Sequence, residues 1–213
     1  LEEEGYIDIL RGGAAKLKRE SSDIPVKTKE KLHGEEKERI AKYAASLVND
    51  GQVIYLDSGT TLLRMIKYLK NKDIKVVTSN TEILPLLSEC SFECILLGGH
   101  VVSALGSVSG VLTEKQLADL YFDAAFLGAS GYTLEGGINT PDLREANKKR
   151  IVMEHSKKAY VLADSSKADK QTLCKVFDLD QCIIITDESN DILEASGNYL
   201  VAPEEERLTE KVQ

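Results

Sequence analysis

The chain has 213 residues, 42% of them hydrophobic and 29% charged, enough apolar material for one large α/β domain or a domain with a small appendage. Its formal net charge of -8 makes a surface that repels a phosphate backbone, so any contact with DNA is expected from some other segment. Cys90, Cys94, Cys174 and Cys182 lack paired zinc-site spacing and read as buried thiols, no apolar run reaches membrane-spanning length, and the N-terminus carries no secretion-signal pattern; a cytoplasmic protein with no metal, no cofactor and no membrane partner is expected.

Residues 1–31 differ from the rest. Gly12-Gly13 punctuates a short strand-like piece, and the charge-alternating stretch 16–31 around Pro25 reads as a linker. From Glu35 the periodicity becomes helical, with Ile40, Ala44, Leu47 and Val48 on one face, until Asn49-Asp50-Gly51 ends the helix. Short apolar runs then recur at 53–56, 75–77, 94–97, 124–127, 159–162 and 182–185, most of them separated by helix-length segments. After the first run, residues 61–70 place Leu62, Met65, Ile66 and Leu69 on one core-facing stripe. This alternation predicts an α/β fold: a mainly parallel open sheet with helices on both faces and right-handed crossovers.

In such a sheet ligands bind beyond the carboxyl ends of the strands. The runs are followed there by Asp57-Ser58-Gly59-Thr60-Thr61, Thr78-Ser79-Asn80, Gly98-Gly99, Gly128-Ala129-Ser130-Gly131 and Asp164-Ser165-Ser166-Lys167. In the first loop Gly59 admits close backbone approach, and Thr60 and Thr61 add hydroxyls at a helix start whose N–H groups would receive a phosphate. The same residues also fit a plain turn in which Ser58 caps the helix, and both readings stand. Thr140-Pro141-Asp142 predicts another helix start, with Thr140 as cap and Pro141 at the first helical position. Glu145 and Lys149 then lie one turn apart, either as an exposed ion pair or as pocket residues. Lys167 either meets an anionic ligand or is solvated. His33, His100 and His155 have no metal-ligand spacing, and only His100, after Gly98-Gly99, is placed to line a pocket.

Taken in order, these motifs resemble the DeoR family of sugar-metabolism regulators. The resemblance runs from 35 to 187 and includes the glycines at 106 and 110, Phe122-Asp123-Ala124-Ala125-Phe126-Leu127-Gly128, Glu145-Ala146 with Lys149, and Ala163-Asp164-Ser165-Ser166-Lys167. The opening residues, through Arg11-Gly12-Gly13-Ala14, are similar to the stretch where such regulators leave their DNA-binding domain. The resemblance implies that residues 1–31 are the end of a truncated winged-helix domain plus linker, and that 32–213 form an effector-binding domain. It further implies a fold akin to ribose-5-phosphate isomerase and coenzyme A transferases, a phosphorylated sugar as effector, operator DNA bound through a missing N-terminal winged helix-turn-helix, usually as a repressor, and a homo-oligomer. Carried onto this chain, Ser58, Gly59, Thr60 and Thr61 would hold the phosphate, and Asp57, Thr78, Asn80, Gly98 and Gly99 would form the wall. Glu145, Lys149 and Lys167 would meet hydroxyls or phosphate.

Two rivals remain at this level. One is a sugar-phosphate isomerase-like enzyme using Asp57, Asp123 and Glu145 as acids or bases. The isomerases place a lysine before a glycine run, whereas here Leu97 precedes Gly98-Gly99 and Glu135 precedes Gly136-Gly137, so no catalytic residue is assigned. The other is an interaction module whose sugar site has lapsed.

Overall fold

The computed structural model describes residues 25–204 and the backbone of residues 7–9 and 15–17. Strands β1 (Ile7–Ile9) and β2 (Ala15–Leu17) pair antiparallel, and Gly12-Gly13 between them lies outside the described residues. The expected linker is not wholly irregular, because helix α1 (Val26–Lys31) forms after Pro25. A helix of six residues with no buried side chain leaves no apolar periodicity in the sequence, which is why it was not foreseen. Helix α2 (Gly34–Ser46) follows, turning Ile40, Ala41, Ala44 and Ala45 into the core.

Strand and helix then alternate: β3 (Val53–Leu56), α3 (Thr60–Leu69), β4 (Lys75–Thr78), a 3-10 segment (Thr81–Glu89) and β5 (Glu93–Leu96). A hairpin of β6 (His100–Val102) and β7 (Ser107–Ser109) leads into α4 (Val111–Ala118) and β8 (Ala124–Gly128). After β9 (Gly131–Thr133) and β10 (Gly137–Thr140) come α5 (Leu143–Glu154), β11 (Ala159–Leu162), β12 (Cys174–Phe177), β13 (Ile183–Thr186), α6 (Asp191–Ser196) and β14 (Tyr199–Val201).

Seven strands form one parallel sheet in the order β14-β13-β11-β8-β3-β4-β5. All six apolar runs of the sequence are in it. A second, antiparallel sheet, β12-β10-β9, covers part of one face. From β3 the chain builds outward through β4 and β5, then returns to place β8 on the other side of β3 and builds outward again. The order therefore reverses between β3 and β8, and that reversal opens a crevice at the carboxyl ends of the two strands.

Side-chain alternation assigns the two faces. Ile54, Leu56, Val76, Phe126, Leu162 and Ile185 pack under α2 and α3 in one core cluster. Tyr55, Val77, Ala125, Leu127, Val161 and Ile184 pack on the opposite face, with Leu117 of α4, Ala146 and Val152 of α5, and Ile138 and Phe177 of the small sheet. Strands buried on both sides read as continuous apolar runs, as these do.

Candidate functional site

Asp57 continues β3 by donating its N–H to Phe126 O at 3.0 Å, so it stands at the mouth of the crevice. Two residues beyond Tyr55, its side chain follows the strand period toward the α5 face. There it is fully buried, and its Oδ2 accepts from Gly128 N at 3.0 Å, which ties the end of β3 to the end of β8. The same oxygen pairs with Lys149 Nζ. Burial by itself raises the Asp57 carboxyl, but the charges of Lys149 and Lys148 outweigh it and hold the group below the usual carboxylate range. Its Oδ1 is buried without a hydrogen-bond partner.

A second buried pair lies beside the first. Lys148 Nζ, fully enclosed, is 2.9 Å from Glu145 Oε1 and also donates to Ser107 Oγ at 2.7 Å, Val108 O at 2.8 Å and Ser79 Oγ at 3.0 Å. Glu145 accepts from Ser107 Oγ at 2.9 Å and from Ser58 Oγ at 3.1 Å. Tyr55 reaches Ser79 Oγ at 3.0 Å, and burial, then Asp57, push its phenol well above the usual value, so it stays protonated. Glu145 and Lys149 are thus not exposed: Glu145 pairs with the buried Lys148, and Lys149 with the buried Asp57.

The helix that carries them begins two residues later than Thr140-Pro141 suggested. Asp142 rather than Thr140 is the cap, its carboxylate accepting from Arg144 N at 2.8 Å and Glu145 N at 3.4 Å, and Arg144 holds that carboxyl low. At α3 the cap is Gly59, which has no side chain to offer, and Ser58 turns away to Glu145. The helix starts at Thr60, and Thr60 and Thr61 are both buried. Its first-turn N–H groups therefore face the crevice without a side-chain cap, leaving the dipole's positive end for an anion.

Thr78 and Asn80 are buried next to this cluster but are spent locally: Thr78 Oγ1 donates to Leu56 O at 2.6 Å, and Asn80 Oδ1 accepts from Glu82 N at 3.0 Å. Gly98 and Gly99 are exposed and pack against α4, where Thr113 Oγ1 donates to Gly98 O at 2.9 Å. At Gly99, φ is +151° and a Cβ would lie 2.2 Å from Thr113 Oγ1, which explains the glycine by packing. His100 is exposed on β6. Lys167 stands apart, after β11, which β8 separates from β3; it is half-buried near Asp164, whose carboxylate accepts from Ser166 Oγ. Ser79, Ser107 and Lys148 were missed as site residues. Ser79 sat inside a recognised motif, but Lys148 belongs to none, and only packing shows its enclosure.

Residues 32–188 match the DeoR C terminal sensor domain. The chain belongs to the DeoR family. The HTH-type transcriptional regulator FruR of Bacillus subtilis (strain 168) is 38% identical over 195 residues, covering 90% of this chain and 77% of that protein. The lactose phosphotransferase system repressor of Staphylococcus epidermidis is 28% identical over 202 residues, covering 90% and 78%. Among solved structures, ribose 5-phosphate isomerase A from Neisseria gonorrhoeae is similar at 19% identity and a TM-score of 0.47, covering 67% of this chain and 55% of that one. The present chain thus spans about half the length of that isomerase chain. In this DeoR sensor domain the described residues include no helix long and apolar enough to cross a membrane, and no group of three His, Cys, Asp or Glu side chains that could hold a metal ion.

Proposed function

We propose that the crevice between β3 and β8 binds a phosphorylated sugar, and that occupancy alters operator binding by a DNA-reading domain linked to this one. The observation that carries the reading is the junction at the end of β3, where an uncapped helix start at Gly59, Thr60 and Thr61 adjoins a buried carboxylate with a disengaged oxygen, Asp57 Oδ1. The helix start suits the phosphate, and the carboxylate suits a sugar hydroxyl. Ser58, Glu145 and Lys149 complete the wall on the α5 side, together with Lys148. Thr78 and Asn80 support it, Gly98 and Gly99 shape its rim, and Lys167 closes the side toward β11. The names of the relatives point the same way, since one is a repressor of a lactose phosphotransferase system.

The domain senses its ligand without transforming it, as a homo-oligomer within a cytoplasmic regulator. What supports this reading is that the relatives are transcriptional regulators and that both acids of the wall, Asp57 and Glu145, are each paired with an ammonium group. Residues 1–31 serve as the connection to the DNA-reading part.

Thr60→Asp tests the seat of the phosphate. At an effective dielectric near 20, a new carboxylate about 5 Å from a phosphate costs roughly 3 kcal/mol per charge pair before relaxation. A thermal-shift screen over pentose and hexose phosphates selects the ligand, and calorimetry on wild type and variant reads the effect. The expected loss is at least about thirtyfold in affinity, with Thr60→Val losing less. Unchanged affinity in a folded Thr60→Asp protein removes the phosphate from this loop.

A further inference from the structure

Helix α1 is held to the domain by polar contacts rather than by burial. It buries none of its side chains. Lys37 on α2, itself only 3% exposed, instead donates from Nζ to Lys29 O at 2.5 Å and to Leu32 O at 2.7 Å, while Arg64 on α3 donates to Glu30 O at 3.2 Å. These carbonyls lie at the C-terminal end of α1, where a helix leaves acceptors unsatisfied and favours cations. Burial draws Lys37 down to about 8, with the Asp164 carboxylate opposing the shift. A buried ammonium engaged by the main chain of one short helix fixes where that helix lies.

What α1 covers is a cavity of about 520 Å³. Lys27, Thr28, Glu30 and Lys31 line it from α1, and Thr60 and Glu82 line it from the domain. Thr60 is also the first residue of α3, so the cavity opens onto the helix start at which the phosphate is placed. Its size falls within the range of small-molecule sites. Its chemistry fits a sugar phosphate as well: ammonium groups for the phosphate, carboxylates to accept from hydroxyls, and Val26 and Leu63 for the C–H face of a sugar.

We propose that α1 is the outer wall of the effector pocket: Thr28 and Lys31 grip a sugar phosphate seated on the first turn of α3, and occupancy holds α1 docked. The inference rests on the reading of that turn as the phosphate seat. Because α1 lies between the domain and residues 1–24, docking and release of α1 carry the state of the pocket to the preceding segment. Linkage makes the effect reciprocal, so loosening α1 weakens the ligand by the factor with which the ligand secures α1.

Hydrogen exchange of residues 26–32 on this chain, with inorganic phosphate and with the sugar phosphate from the screen, provides the test. The ligand is expected to slow exchange there at least tenfold. The double variant Thr28→Ala/Lys31→Ala, which touches no buried side chain, is expected to bind about tenfold more weakly with an unchanged apo melting temperature. Lys37→Met should speed apo exchange of α1 and weaken binding as well; should it fail to fold, the double variant decides. If Thr60→Asp abolishes binding while the double variant binds like wild type and α1 exchange ignores the ligand, the inference falls and the phosphate seat stands. If Thr60→Asp binds normally, the seat falls and takes the inference with it.

Discussion

Asp57 shows how one side chain ties stability to the site. It is fully buried, pairs with Lys149 and joins the ends of β3 and β8 through Gly128 N. Removing one partner from a buried pair is strongly destabilising, so Asp57→Asn is expected to cost about 3–5 kcal/mol in denaturant unfolding. The pH dependence has a definite sign. The folded carboxyl is held below its unfolded value, so the unfolded state binds more protons as acid is added; the contribution is fully present above about pH 4 and is lost as pH falls through the folded value. Wild type should therefore lose stability on acidification below about pH 4 more steeply than Asp57→Asn. Parallel acid limbs for the two proteins would show that Asp57 is not the paired carboxylate described. Both residues were named as site candidates from sequence, Asp57 by its position after an apolar run; their pairing was not legible, because 92 residues separate Asp57 from Lys149.

At the scale of an element, α5 organises the site. Glu145, Lys148 and Lys149 sit in its first two turns and point into the cluster, while Ala146 and Val152 anchor it on the sheet. Its low-lying cap, Asp142, sets where the helix begins and hence which side chains face inward. Asp142→Ala is expected to lose about 1 kcal/mol, read as a lowered melting temperature, and to weaken sugar-phosphate binding modestly by fraying the turn that carries Glu145. An unchanged melting temperature would leave Pro141 and the dipole as sufficient for the start. The sequence-level expectation of Thr140 as cap failed here because Thr140 is still paired in β10, opposite Cys174. Hydrogen bonding in the small sheet held it in the strand, and the cap moved to the next residue able to accept from the first turn.

For the whole molecule, charge is the governing quantity. With a net charge of -8 the chain is expected to bind duplex DNA only weakly at physiological salt, with or without sugar phosphate, as read by fluorescence anisotropy. Tight, sequence-specific binding by this chain would move DNA recognition into the domain itself.

Amphipathic period and apolar runs sufficed to place α2, α3 and six strands of the parallel sheet, since burial on both faces is written directly into local composition. The strand-end loops were legible for the same reason: once the strands are placed, topology sends ligands to their carboxyl ends. The three-residue strands β6, β7, β9 and β14 and the helix α1 were not, being too short to carry a period. Nor could sequence say that Glu145 would pair with Lys148 and Lys149 with Asp57, because an i, i+4 spacing allows an exposed pair equally well. Only the packing of α5 over the end of β3 decided that, by removing water from all four charges and bringing Lys148 to Glu145 and Lys149 to Asp57.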